Sequence, residues 1–126
     1  MIRRQLINFQ NRSVDVRVGL GAFDELSRMF ASAVGKPKRA MVVWNSASSE
    51  RFDEVVEHAL VDAGFAVSQF SLEVSPAGAT LADADAIFGA LSANGITCDD
   101  LVVAVGDAAT CSVVSWCANQ WCGRTE

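Results

Sequence analysis

The chain has 126 residues, of which 51% are hydrophobic and 20% charged, and its net charge at pH 7 is −5. This composition supplies enough apolar side chains for one packed core and excludes an intrinsically disordered chain. The acidic balance argues against nucleic-acid binding, and no apolar run approaches the ~20 residues of a membrane-spanning helix. Polar residues interrupt the apolar core that a secretory leader needs, so we expect a cytoplasmic protein.

Two strands are predicted at the start of the chain. Residues 6–9 are a short apolar run, and residues 13–18 alternate strictly, which places three valines on one face. Residues 10–12 are the predicted connection, so this segment is expected to form a β-hairpin.

Helices and apolar strands alternate after the hairpin. Apolar spacings of three and four predict helices at about 23–34, 52–63, 81–91 and 107–122, and apolar runs predict strands at 40–44, 65–72 and 101–105. Thr80 and Asp83 form a predicted capping box. This alternation predicts an α/β fold, namely a Rossmann-like three-layer domain. Residues 1–126 are expected to form a single domain with a mostly parallel sheet and an N-terminal β-hairpin.

Three loops follow the predicted parallel strands, at residues 45–49, 75–80 and 106–110. Ligands of open α/β sheets bind outside the carboxyl ends of the strands, so these loops are expected to surround one crevice. A phosphate-binding turn needs glycines ahead of a helix N-terminus. This turn has one glycine, Gly106, and then Asp107, a carboxylate where a phosphate would lie. The alternative is that Asp107 or Thr110 only caps the helix.

The four cysteines, at positions 98, 111, 117 and 122, lack the C-x-x-C spacing of zinc and redox sites. The only histidine, His58, lies beside the apolar stripe of the second helix and is expected on the surface. We therefore expect no metal on this chain and interpret the cysteines as buried free thiols.

Several segments together resemble the landmarks of 3-dehydroquinate synthases in order and spacing. They include Ser75-Pro76-Ala77-Gly78 and the run from Asp100 through Gly106 to Ala118. The resemblance implies a Rossmann-like N-terminal domain that holds NAD, followed by a mostly helical domain with a divalent metal. The family is a lyase of the shikimate pathway, which converts 3-deoxy-arabino-heptulosonate 7-phosphate to 3-dehydroquinate.

The resemblance also assigns cofactor-binding positions, and most of them differ from the family pattern. Asn45 and Ser112 stand where the family has aspartates, and Ala79 and Ala82 replace the glutamate and lysine of Pro-x-Gly-Glu-x-x-Lys. The family's triple glycine is matched by Gly106-Asp107-Ala108. The positions that correspond to the NAD site are Asn45, Gly78, Gly106, Asp107, Ala108 and Ser112. No residue of this chain is assigned a catalytic role.

These substitutions leave three functions open. The chain is a 3-dehydroquinate-synthase-like domain that is inactive alone, the NAD-binding domain of a split or longer synthase, or a noncatalytic module that pairs with a homologue. Trp116 and Trp121 bear on the third, because they either fill the core or form an apolar surface that a partner covers. In that case we expect a homo-oligomer or a full-length homologous partner.

Overall fold

The computed structural model describes residues 2–10, 12–33, 39–47, 52–123 and 125. In chain order the elements are β1 (Arg3–Phe9), β2 (Arg12–Val18), a 3₁₀ turn (Ala22–Glu25), α1 (Leu26–Ala33), β3 (Arg39–Asn45), α2 (Phe52–Asp62), β4 (Ala66–Leu72), α3 (Leu81–Ala93), β5 (Leu101–Val105), α4 (Ala108–Gln120) and a second 3₁₀ turn (Trp121–Gly123). The predicted α/β class is confirmed. The predicted end of the first helix, at Val34 and Gly35, and residues 48–51 lie outside the described residues.

A parallel sheet of three strands, in the order β4-β3-β5, forms the centre of the fold. In its register Val43 lies between Phe70 of β4 and Ala104 of β5. Residues 40–43 of β3 are fully buried. A central strand covered on both faces needs apolar residues at every position, which explains the continuous apolar run in the sequence.

Helices cover both faces of this sheet. Because side chains alternate along a strand, Met41 and Val43 point to one face, and Ala40 and Val42 to the other. The first face packs against α3 and α4 through Ala84, Ile87, Leu91, Val113, Val114 and Cys117. The second packs against α1 and α2 through Leu26, Phe30, Val56 and Leu60.

The N-terminal hairpin is a separate sheet, in which β1 and β2 pair antiparallel with Arg3 opposite Val18. The predicted hairpin is confirmed, although Arg12 belongs to β2 and not to the connection. On one face Asp15 forms salt bridges with Arg4 at 3.0 Å and with Arg17 at 3.1 Å. Arg17 also pairs with Glu25, which links the hairpin to the first 3₁₀ turn.

Helix boundaries were predicted best where capping chemistry is local. Thr80 Oγ1 accepts from the backbone N–H of Asp83, and the Asp83 carboxylate accepts from the backbone N–H of Thr80, so the predicted capping box is confirmed. Leu81, the first residue of the apolar spacing that predicted α3, is 82% exposed, whereas Ile87 and Leu91 of the same helix are fully buried. The fourth helix ends at Gln120, two residues before the predicted end, since Cys122 adopts a left-handed conformation with φ of 50°.

The two tryptophans near the C-terminus differ in environment. Trp121 is half-buried, stacks on Phe88 with ring centroids 5.9 Å apart, and donates from Nε1 to the carbonyl of Ile96 at 2.7 Å. Trp116 is 50% exposed. Of the two predicted alternatives, core packing therefore describes Trp121, and an exposed apolar surface describes Trp116. Within the described ranges no helix is both long and apolar enough to cross a membrane.

Candidate functional site

A cavity of about 340 Å³ lies where the carboxyl ends of β3 and β5 meet. The chain leaves β3 toward the face that holds α2, and leaves β5 toward the face that holds α4. The connections therefore diverge at this point, which opens a crevice between them. The cavity is lined by Trp44, Asn45, Ala47, Phe52, Asp53, Val74, Pro76, Val105, Gly106 and Asp107. Residues from all three predicted loops contribute to this lining.

Asn45, the last residue of β3, is 6% exposed and holds the three loops together. Its Nδ2 donates to the carbonyl of Val74 at 3.1 Å and to Thr110 Oγ1 at 3.2 Å. Its Oδ1 accepts from the backbone N–H of Ala47 at 3.0 Å. Both donor hydrogens and one acceptor site of the amide are used inside the protein. Asn45 therefore acts mainly as a structural link at the floor of the crevice.

Asp107 caps the N-terminus of α4. Its Oδ1 accepts from the backbone N–H of Thr110 at 3.0 Å and from Thr110 Oγ1 at 2.8 Å. The backbone hydrogen bond from Thr110, followed by its hydroxyl hydrogen bond, lowers the pKa of Asp107 below its ordinary value. The carboxylate consequently stays charged at neutral pH and occupies the end of the helix dipole where an external anion would bind. The capping interpretation of Asp107 is confirmed.

Gly106 brings the backbone close to the first turn of α4. Its φ is +156°, and an added Cβ would lie only 3.0 Å from the Cβ of Thr110. A side chain at this position would collide with the buried Thr110, so the turn requires glycine. The backbone of the turn at Gly106 therefore lies directly against the side chain of Thr110.

Gly78, Ala108 and Ser112, the other positions assigned by the resemblance, lie outside the cavity lining. Gly78 ends the turn after β4, where its N–H donates to the carbonyl of Ser75 at 3.0 Å and its φ is +144°. Ala108 is the first residue of α4, and both it and Ser112 are exposed. Of the six assigned positions, Asn45, Gly106 and Asp107 therefore line the cavity, and the other three do not.

Asp53 is a cavity residue that the sequence interpretation missed. It lies in the first turn of α2 and is 1% exposed, whereas the apolar residues Phe52 and Val55 of the same helix are 39% and 44% exposed. Asp53 precedes Val56 by three positions and Leu60 by seven, which is the spacing of one helix face. That spacing was the signal available in the sequence, and it places a carboxylate on the buried face.

The charges around the cavity are unfavourable for an anion. Asp53 and Asp107 both line it, and its described lining contains no Lys, Arg or His. The aromatic rings of Trp44 and Phe52 contribute apolar surface. A neutral or cationic group is therefore compatible with this crevice, whereas a pyrophosphate would lie near the two carboxylates of the described lining.

The described residues contain no group of three His, Cys, Asp or Glu placed to hold a metal ion. All four cysteines are free thiols. Cys117 is buried and Cys111 is half-buried, but Cys98 and Cys122 are exposed. The prediction of buried thiols is therefore wrong for Cys98 and Cys122, which lie in a loop and in the terminal 3₁₀ turn. His58 is exposed on α2, as predicted.

No protein-family model matches this chain, and no curated protein matches its sequence. A functional assignment therefore depends on the geometry of the crevice and on the sequence landmarks described above.

Proposed function

We propose that this chain is a 3-dehydroquinate-synthase-like domain of Rossmann-like topology that has kept its ligand crevice but lost the phosphate site for NAD. On its own it performs no dehydroquinate synthesis. The observation that carries this proposal is the position of Asp107, whose carboxylate caps α4 at the place where a dinucleotide phosphate would need free backbone N–H groups.

Two further observations support the loss of the phosphate site. Asn45 uses its amide hydrogens to hold Val74 and Thr110, so they are not available to a ligand. Asp53 adds a second carboxylate to the cavity lining. For a dinucleotide to bind the Asn45 amide, the hydrogen bonds of Asn45 to Val74 and Thr110 would have to break. Its phosphates would also lose water beside the carboxylates of Asp53 and Asp107. Both steps are unfavourable.

The second candidate is the NAD-binding domain of a split or longer synthase. It is favoured by the cavity at the divergence of β3 and β5, whose 340 Å³ falls within the range of small-molecule sites. It is also favoured by Gly106 and Gly78, which keep the positive φ angles of tight turns.

Calorimetric titration of the full chain with NAD separates the two candidates. The first predicts no measurable heat of binding at NAD concentrations up to about 1 mM, which corresponds to a binding free energy weaker than about −4 kcal/mol. Micromolar binding would contradict it and favour the second candidate.

The matched variant is Asp107→Asn, which keeps a good N-cap but removes the charge. If the carboxylate excludes phosphate, this variant should bind pyrophosphate more tightly than the parent by about fivefold.

A further inference from the structure

The crevice at the carboxyl ends of β3 and β5 combines apolar and acidic surface. Trp44 and Phe52 contribute aromatic rings to its lining, and Asp53 and Asp107 contribute carboxylates. Its volume of about 340 Å³ lies at the lower end of the range of small-molecule sites. The size and the lining therefore suit a small ligand that has an apolar body and one polar end.

The aromatic part of the lining is held in place by the fold. The Phe52 ring, at the start of α2, packs against Phe23 of the first 3₁₀ turn, with ring centroids 5.2 Å apart and ring planes tilted by 47°. A tilted pair at this separation is a favourable arrangement of aromatic rings. Trp44 is half-buried near the end of β3. Both rings offer apolar contact area, and the face of an aromatic ring attracts a cation.

Asp107 brings a charged carboxylate to the same cavity. The residue is exposed, and both hydrogen bonds that it accepts from Thr110 end on Oδ1. A carboxylate has about four lone-pair sites, so Oδ2 keeps acceptor capacity for an N–H group of a ligand. The backbone N–H of Thr110 lowers the pKa of Asp107, which keeps the carboxylate ionised at neutral pH. A primary ammonium, with three donor hydrogens and one positive charge, complements this group.

The charge balance of the crevice favours one positive charge over two. Asp107 caps α4, and Asp53 lies in the first turn of α2. Each helix N-terminus is equivalent to about half a positive charge, so the two helices offset about one of the two carboxylate charges. The remaining charge matches a monocation. The aromatic lining supplies apolar contacts and not the oxygen ligands that a divalent metal ion such as Mg²⁺ or Ca²⁺ requires.

We propose that the crevice binds a small organic monocation, namely a primary ammonium on an apolar body, with the ammonium at Asp107 and the body against Trp44 and Phe52. This assignment rests on the proposed function, because that function keeps the crevice and removes its phosphate site. The carboxylate that disfavours pyrophosphate stabilises the ammonium. The charge of Asp107 therefore acts in opposite directions on the two kinds of ligand.

The test uses three probes that share one aromatic body, namely phenethylammonium, the neutral phenethyl alcohol and the anionic hydrocinnamate. An NMR titration of the full chain at pH 7 measures both affinity and location. The indole N–H resonance of Trp44 should shift, whereas those of Trp116 and Trp121, which lie outside the cavity lining, should not. We expect a dissociation constant of about 1 mM for phenethylammonium and binding at least about tenfold weaker for the other two probes.

Variants separate the charge from the apolar contacts. Asp107→Asn keeps the cap, so we expect it to weaken phenethylammonium by about tenfold and to leave phenethyl alcohol unchanged, which shows that the crevice is still folded. Asp85→Asn makes the same charge change on the exposed side of α3 and should leave both affinities unchanged. Phe52→Leu keeps an apolar side chain but removes the ring, and it should weaken phenethylammonium by about fivefold.

Three results would overturn this ligand assignment. They are equal affinity for the ammonium and the alcohol, a shift of Trp116 in place of Trp44, and an effect of Asp85→Asn as large as that of Asp107→Asn. The titration with NAD distinguishes this failure from a failure of the proposed function. If neither NAD nor phenethylammonium binds, only the ligand assignment is wrong. If NAD binds at micromolar concentration and phenethylammonium does not, both are wrong.

Discussion

Asn45 and Thr110 connect β3, the central strand of the sheet, to α4, the helix that follows the edge strand β5. Asn45 Nδ2 donates to Thr110 Oγ1 at 3.2 Å, and the same hydroxyl donates to Asp107 Oδ1 at 2.8 Å. A single chain of hydrogen bonds therefore runs from β3 through the buried Thr110 to the cap of α4. The direction of these bonds fixes an amide at position 45, because Thr110 Oγ1 and the Val74 carbonyl both require a donor.

Asn45→Asp should destabilise the protein by about 2–4 kcal/mol at neutral pH. The introduced carboxylate has no hydrogen to donate, so its oxygen would face the Val74 carbonyl and Thr110 Oγ1. Those acceptors and the burial of the site should raise the pKa of the introduced group, and the deficit should shrink as the pH falls and the carboxyl becomes protonated. Urea denaturation between pH 4 and pH 8 measures both effects.

The control for this change is Asn119→Asp, which makes the same substitution on the exposed side of α4. It should change the free energy of unfolding by no more than about 0.5 kcal/mol. Equal losses for the two variants would contradict the structural role of Asn45.

Local signals explain what the sequence predicted well. The capping box at Thr80 and Asp83 and the cap at Asp107 depend on residues three positions apart, so the pattern alone defines them. The crevice was predicted because parallel strands bring their carboxyl ends to one edge of a sheet. Its linked hydrogen bonds were not predicted, since Asn45 and Thr110 are 65 residues apart and only the three-dimensional packing pairs them.

Other features were not predicted because periodicity alone does not determine them. Asp53 was not predicted because hydrophobic periodicity identifies the apolar residues of a helix face and not a carboxylate that shares their spacing. Alternation in the second strand predicted correctly that its three valines share one face, but alternation carries no information about what lies against that face. The exposure of Leu81 was not predicted, because helical periodicity identifies the residues that share a face and not how deeply each of them is buried.

Gly106→Ala should destabilise the protein by about 1–3 kcal/mol, because the residue has φ of +156° and the new Cβ would lie 3.0 Å from the Cβ of Thr110. Gly89→Ala is the matched control. Gly89 lies within α3, and no atom lies within 4 Å of the Cβ that would be added. Alanine is the better helix former, so this control should stabilise the protein by about 0.5–1 kcal/mol. Thermal and urea denaturation should thus give opposite signs for the two variants.

The cap at Asp107 should make stability depend on pH in the acidic range. The folded state lowers the pKa of this carboxyl below the ordinary value of 3.8, mainly through the backbone N–H of Thr110. Its contribution is therefore fully present above pH 3.8 and is lost as the pH falls through the lower, folded-state pKa. Asp107→Asn keeps a cap that does not titrate. The free energy of unfolding of the native chain, relative to that of this variant, should therefore decrease as the pH falls.

Comparing the melting temperatures of the two proteins between pH 2 and pH 6 isolates this group, because Asp15, whose pKa is also lowered, is common to both. A melting-temperature difference that does not change over this range would show that Asp107 has the same pKa in the folded and unfolded states. That result would contradict the capping geometry.

The four thiols should react with a disulfide reagent in distinct phases. Cys98 and Cys122 are exposed and should react fast, whereas burial raises the pKa of Cys117, which should react only as the protein opens. The pKa of Cys111 is raised first by burial and then by the charge of Asp107. Because the thiolate is the reactive form, Cys111 should react at pH 8 about tenfold or more slowly than the exposed Cys98 and Cys122.

Two variants assign these phases. Cys98→Ser together with Cys122→Ser should abolish the fast phase and leave the slow ones. Asp107→Asn should accelerate Cys111 alone, since removing the nearby charge lowers the pKa of that thiol while Cys117 keeps its burial. All four thiols should react at one rate in denaturant. Four fast thiols in the native protein, or an acceleration of Cys117 in place of Cys111, would contradict the arrangement of α4 beneath the crevice.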